Sequence, residues 1–143
     1  MNVETILRGK GDWVATIRPD ATIGEAVGML NSERIGALVV SEDGESADGI
    51  LSERDIVRAL AEHADELMSR PVGELMSRAV FTCEPGDSVG RLMEEMTSRR
   101  IRHFPVLRDG KLCGIVSIGD LVKSRLDEIE FEAQSMRSFI AGT

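Results

Sequence analysis

The sequence predicts a mixed α/β (α+β) fold built from two copies of one βαββα unit. Three observations carry that expectation. First, Val14 to Gly44 lie on Val80 to Gly110 without a gap, at an offset of 66 residues. Val14, Thr16, Pro19, Gly24, Ser32, Arg34, Ile35, Val40, Asp43 and Gly44 each meet an identical residue. Second, the match resumes at an offset of 65, where Gly49-Ile50-x-Ser52-x-x-Asp55 falls on Gly114-Ile115-x-Ser117-x-x-Asp120. Third, strand-like alternation and helix-like apolar spacing succeed one another in the same order in both copies.

The elements follow in chain order. Val3-Glu4-Thr5-Ile6-Leu7 and Val72-Gly73-Glu74-Leu75-Met76 are matching short lead-in segments. Short strands are expected at Val14–Ile17 and Val80–Cys83, each stopped by a proline, Pro19 or Pro85. A helix then runs from Thr22 to Arg34. Thr22 and Glu25 form a capping box, in which each side chain satisfies a free backbone N–H of the other residue. Ile23, Ala26, Val27 and Leu30 share one face of it. The second copy, Ser88 to Arg100, keeps the pattern with Val89, Leu92, Met93 and Met96. Two strands follow, Ala37–Ser41 and Gly49–Ser52 in the first copy, His103–Arg108 and Lys111–Ser117 in the second. Asp109-Gly110 marks a two-residue hairpin, whose turn needs positive φ at both positions. The first copy has a longer loop, Glu42 to Asp48.

A helix closes each copy, from Glu53 to Met68 and from Gly119 to Ile140. On the second, Val122, Leu126, Ile129, Ala133, Met136 and Ile140 form a heptad-like seam. It is too short for an independent coiled coil. It packs either on its own domain or against a second copy of the chain. The boundaries this gives are residues 1–68 for the first repeat, 69–125 for the second and 126–143 for a helical extension.

At 143 residues the chain can bury a real core. Each repeat alone, at about 60 residues, would be marginal, so the halves are expected to share one core. Only 3% of residues are aromatic, so that core must be aliphatic. A net charge of −8 argues against a nucleic-acid partner, which needs a basic footprint. No apolar run approaches the about 20 residues of a membrane span, and no secretory leader is visible. Cys83 and Cys113 lack metal or redox spacing and read as buried thiols of a reducing cytoplasm. There is no P-loop, no Gly-x-Gly-x-x-Gly and no metal-ligand cluster, so no catalytic arrangement is expected.

The duplicated Gly-Ile-x-Ser-x-x-Asp sits where a strand becomes a helix. Ser52 with Asp55, and Ser117 with Asp120, can simply be capping boxes. The motif also suits a nucleoside phosphate. A helix N-terminus favours phosphate, a carboxylate one turn in can accept both ribose hydroxyls, and the serine can donate to a sugar or phosphate oxygen.

On these residues the chain resembles a tandem pair of CBS (cystathionine-β-synthase) domains, over its length to about residue 125. The resemblance rests on the strand Thr followed by Pro, the Asp-Gly hairpin and the doubled Gly-h-x-Ser-x-x-Asp. It implies repeats packed through their sheets into a pseudo-twofold module with two clefts. It implies a regulatory ligand: AMP, ADP or ATP, otherwise NAD(H) or S-adenosylmethionine. Asp55 and Asp120 would hold riboses, and Ser52 and Ser117 would contact phosphate or ribose. Thr16 and Thr82, beside Ala15 and Phe81, would border the adenine, with Ile50 and Ile115 in the same apolar slot. The first copy departs from the family pattern at Val39, where the second has Pro105. Arg99-Arg100-Ile101-Arg102-His103 is the dense basic run. Arg102, His103 and then Arg54 are the expected phosphate contacts. His63 is expected to be merely exposed. The expected function is a non-enzymatic nucleotide-sensing module, a homodimer that signals to a protein effector. The alternative is a ligand-free interaction module acting through its last helix.

Overall fold

The computed structural model describes residues 1–11 and 13–142. Thr143, the last residue of the expected extension, lies outside them. The elements run α1 (Val3–Lys10), β1 (Thr16–Ile17), α2 (Ile23–Glu33), β2 (Ala37–Val40), β3 (Gly49–Ser52) and α3 (Glu53–His63). After a 3-10 turn at Leu67–Ser69 come α4 (Val72–Leu75), α5 (Val89–Arg99), β4 (His103–Arg108), β5 (Lys111–Ser117) and α6 (Ile118–Ala141).

The first repeat forms a three-stranded sheet in the order β1-β2-β3, with β1 parallel to β2 and β2 antiparallel to β3. The second forms the β4-β5 hairpin. The strand expected at Val80–Cys83 is reduced to one parallel bridge, Cys83 to Val106. The strand expected from Val14 starts only at Thr16, β2 stops one residue short at Val40, and α3 ends at His63 rather than Met68.

The local chemistry behaves as the residue types require. Thr22 caps α2 in a two-way capping box with Glu25, and Ser88 caps α5. Equivalent arginines, Arg34 and Arg100, end these helices in the left-handed conformation. Asp109 (φ 53°) and Gly110 (φ 79°) make the tight β4-β5 turn. In the longer β2-β3 loop, Asp43 holds the chain instead: one carboxylate oxygen accepts from the Glu45 and Ser46 amides and from the Ser41 and Ser46 hydroxyls. Those bonds hold the Asp43 carboxyl down at about 2.

The core is double rather than single. One cluster gathers Ile23, Ala26, Leu38, Val40 and Leu51 of the first repeat, together with Val72 of α4. The other gathers Val89, Leu92, Phe104, Val106, Val116 and Leu121 of the second, together with Val3 and Leu7 of α1. Each lead-in helix thus buries its side chains with the repeat it does not precede. The backbone repeats the exchange bond for bond. Val3 N–H donates to Asp87 O (3.0 Å) and Glu4 N–H to Pro85 O (2.9 Å). Their counterparts are Val72 N–H to Ala21 O (2.7 Å) and Gly73 N–H to Pro19 O (2.9 Å). Arg108 clamps α1 further, donating from Nη2 to both carboxylate oxygens of Glu4 (3.0 and 2.8 Å).

The glycine of each Gly-Ile-x-Ser-x-x-Asp motif makes room for this exchange. A β-carbon on Gly114 would lie 2.6 Å from Leu7 Cδ2, and one on Gly49 would lie 2.6 Å from Met76 Sδ. Leu7→Ala should therefore destabilise the protein by about 2–4 kcal/mol in denaturant unfolding. Gly114→Ala should destabilise on its own but much less in the Leu7→Ala background. Strict additivity of the two changes would contradict the contact.

Candidate functional site

Two of the β-to-α junctions and the basic run converge on one cleft of about 770 Å3 between the repeats. From the first repeat come Gly36, Ile50, Ser52, Glu53, Arg54, Asp55 and Arg58. From the second come Ser77, Ala79, Val80, Phe81, Arg100, Ile101, Arg102, His103, Pro105 and the start of α6 at Ser117, Ile118 and Gly119. The floor is apolar, through Ile50, Val80, Ile101 and Pro105. The rim carries four arginines against two acids, Glu53 and Asp55. On a chain of net charge −8, this is a local reversal of sign.

The strand-to-helix junctions fix the polar groups. Ser52 caps α3, its hydroxyl accepting from Asp55 N–H at 3.3 Å. Asp55 Oδ2 returns the bond, accepting from Ser52 N–H (2.9 Å) and the Ser52 hydroxyl (3.0 Å). Its Oδ1 is left for a second partner. Ser117 and Asp120 repeat the box at α6. Both motifs thus start helices, and both helix N-termini open onto the same cleft, where their free N–H groups favour an anion.

Seven expected site residues meet there: Ile50, Ser52, Arg54, Asp55, Arg102, His103 and Ser117. Thr16, Thr82, Ile115 and Asp120 do not line it. Thr16 pairs with Val39 inside the first sheet, and Thr82 is exposed. Ala15 is in the core, whereas Phe81 reaches the cleft and carries the Arg99 guanidinium 4.1 Å from its ring centroid. Asp120 and Ile115 are held by Lys10, whose ammonium donates to Asp120 Oδ2 (2.7 Å) and Ile115 O (2.9 Å). Sequence reasoning missed Arg58, Ser77 and Ala79. Arg58 was findable, being one turn beyond Arg54 on the same helix face. Ser77 was not, since its place depends on how α4 crosses to the other repeat. His63 is half-buried and lies 3.8 Å from Glu62, remote from the cleft.

Titration follows from the surroundings. Burial holds His103 below the usual imidazole value; Lys10 and Arg102 add to this, and Asp120 opposes it. Burial pushes the Asp120 carboxyl up, but the bonds from Lys10 and Ser117 outweigh it and hold the group below its ordinary value. Cys83 is buried, and that burial pushes its thiol up to about 12, leaving it protonated. Both cysteines are thiols. Among the described residues no cluster of His, Cys, Asp or Glu could hold a metal ion.

A family model for the CBS domain matches residues 14–62 and 72–127. The chain belongs to the CBS-domain family. It is 34% identical to the mitochondrial CBS domain-containing protein CBSX3 of Arabidopsis thaliana, over 98% of this chain and 72% of the relative. It is 34% identical to the CBS domain-containing protein YhcV of Bacillus subtilis, over 79% of each. Among solved structures, the CBS-domain protein ATU1752 of Agrobacterium tumefaciens superimposes with a TM-score of 0.83 at 43% identity, covering 87% of this chain and 99% of that one. The CBS pair of protein MJ0100, in complex with 5'-methylthioadenosine and S-adenosyl-L-methionine, superimposes with a TM-score of 0.75 at 27% identity, over 88% and 98%. The mixed α/β pair of repeats expected from the sequence is thus the CBS pair.

The CBS cleft gives a pH prediction through His103. Its folded-state value lies below the ordinary 6.5, so the unfolded chain binds the proton more readily. Stability contributed by neutral His103 is present above about pH 6.5 and is lost as the pH falls through the folded value. Melting temperature should fall between pH 7.5 and 5.5, and less steeply in His103→Gln. Equal slopes would show that His103 is not the group responsible.

Proposed function

We propose that this protein is a regulatory module, not an enzyme, that binds a phosphorylated adenosine in the Asp55 cleft. The observation that carries the reading is the meeting of the Ser52–Asp55 junction with Arg54, Arg58, Arg100 and Arg102 around one apolar floor. Asp55 Oδ1 would accept from the ribose diol, the floor would take the adenine, and the arginines would take the phosphates. The bound adenosine derivatives of the MJ0100 pair support the ligand class. The arginine-rich rim favours AMP, ADP or ATP over S-adenosylmethionine, whose sulfonium brings a positive charge to a positive rim. NAD(H) is also compatible, having phosphates of its own.

Calorimetry and thermal shift with AMP, ADP, ATP, NAD(H) and S-adenosylmethionine test this reading. A ligand at 100 times its dissociation constant should add about 2.7 kcal/mol of stability, several degrees in melting temperature. Asp55→Ala should weaken binding about 10- to 100-fold, as expected for losing a charge-assisted hydrogen bond. Absence of binding by every ligand at millimolar concentration would sink the reading.

A homodimer is the second part of this proposal, and α6 supports it. The helix buries only Leu121 and Ser124 against its own domain. Leu126 is 60% exposed, Met136 65% and Ile140 78%, with Val122, Ile129, Phe131 and Phe139 also open. The seam therefore does not pack within the chain. A continuous apolar face of this length fits a second copy's α6, and a partner protein would read the resulting dimer. Size-exclusion light scattering should report twice the chain mass, and Leu126→Glu with Ile129→Glu should give monomers that still bind nucleotide. A wild-type monomer at micromolar concentration would remove the dimer. No described helix is long and apolar enough to cross a membrane. The two thiols are the ground for placing the protein in the reducing cytoplasm.

A further inference from the structure

The two halves of the molecule are equivalent almost bond for bond, and they break that equivalence at one place. In the first half the chain leaving α4 runs beside β3. Ser77 N–H donates to Ile50 O (2.9 Å), and Ile50 N–H donates to Ser77 O (3.0 Å). In the second half α1 is eight residues long, where α4 is four. The extra turn carries Lys10 over β5. There its ammonium takes the place of the backbone donor, bonding Ile115 O, the counterpart of Ile50 O, at 2.9 Å. The same ammonium reaches Asp120 Oδ2, the counterpart of the Asp55 carboxylate, at 2.7 Å.

We propose that Lys10 is a tethered occupant of the Asp120 cleft, so that the chain offers one open nucleotide site, at Asp55, and a second only when Lys10 is released. This rests on the nucleotide reading of the Asp55 cleft. Lys10 satisfies the carboxylate and a carbonyl of the second motif together, the groups that would otherwise face a ligand's hydroxyl and base. The contact is short and charge-assisted, and its side chains are 39% and 24% exposed, so solvent screens it only in part. Its geometry is preset. Val3 and Leu7 bury α1 in the second core, the Glu4–Arg108 pair clamps its first turn, and Gly11 N–H closes its last on Leu7 O at 2.8 Å. A ligand entering at Asp120 must first displace an ammonium that is always present. If Lys10 is out in about one molecule of a hundred, the apparent affinity there falls about a hundredfold.

The charge distribution agrees. Arg54, Arg58, Arg100 and Arg102 all face the Asp55 cleft, whose own carboxylate is left with no cation bonded to it among the described contacts. The cation of the second motif is spent on the carboxylate itself.

The test is calorimetric stoichiometry with ATP on the full chain. Wild type should bind one ATP per chain, and Asp55→Ala should abolish that site. Lys10→Met, which keeps the aliphatic stem and removes the charge, should bind two. Lys10→Met with Asp120→Ala should return to one, which locates the second equivalent. Circular dichroism and melting of each variant verify folding. Two equivalents of similar affinity in wild type, or still one in folded Lys10→Met, would overturn the Lys10 proposal and leave the Asp55 reading standing. No ATP bound by wild type or Lys10→Met would overturn the nucleotide reading itself. Trp13, the single tryptophan and three residues beyond Lys10, adds an independent readout. Its fluorescence should respond to the second equivalent in Lys10→Met and stay unchanged on the first.

Discussion

The reciprocal crossing of the lead-in helices, each seated on a glycine of the other repeat, is the constraint on which the rest depends. A repeat of about 60 residues buries too little surface to stand alone. Without its visitor, β3 or β5 would turn an uncovered apolar face to water. Val3, Leu7 and Val72 supply that cover, each burial contributing about 1.5–3 kcal/mol. The glycines Gly49 and Gly114 are therefore required by packing before any ligand is considered: side chains of Met76 and Leu7 occupy the space a β-carbon would need. This changes the meaning of the repeated motif. Its first residue serves the crossing, its serine and aspartate start a helix, and only the surplus valence of the aspartate is free for chemistry.

The same crossing decides the composition of the cleft. Because α4 carries the chain from one repeat across the face of the other, the residues following it, Ser77 to Phe81, arrive opposite Asp55. The first motif is thereby equipped by the second repeat's arginines. An acidic chain can hold a cationic cleft because the basic run and α3 contribute from opposite walls. Neither wall alone concentrates enough charge to outweigh the surrounding carboxylates.

Much of this was legible in the sequence, and the limit has a physical form. Local signals were reliable where the backbone answers to its own neighbours. Thr22 and Ser88 began helices, Asp109-Gly110 turned a hairpin, and β3, β4 and β5 kept their expected bounds. The strand at Val80–Cys83 failed because its pairing partner is distant, and the register allows one bridge at Cys83. The single core failed for a similar reason: the pattern shows which faces are apolar, not which repeat each one meets. Within the site, Asp55 and Arg102 were recognisable as types, but their placement in a common cleft depends on the crossing. Lys10 carried no signal at all, since one lysine at a helix end ordinarily complements the dipole.

The unequal lead-in helices also bear on how binding could be read outside the module. Ser117 and Gly119 line the Asp55 cleft at the N-terminus of α6, and the same helix carries the open apolar seam some turns later. A rigid helix joins the two, so no chain of side chains is needed between them. Position alone produces no signal, however; a ligand shifts an equilibrium only by its difference in affinity between two states. The structure supplies a source of such a difference. An anion drawn towards the start of α6 meets both Arg102 and the Lys10–Asp120 pair behind His103. Two arrangements that differ in where α6 begins would then bind the anion unequally. By linkage, whatever grips the seam would alter ligand affinity by the same factor.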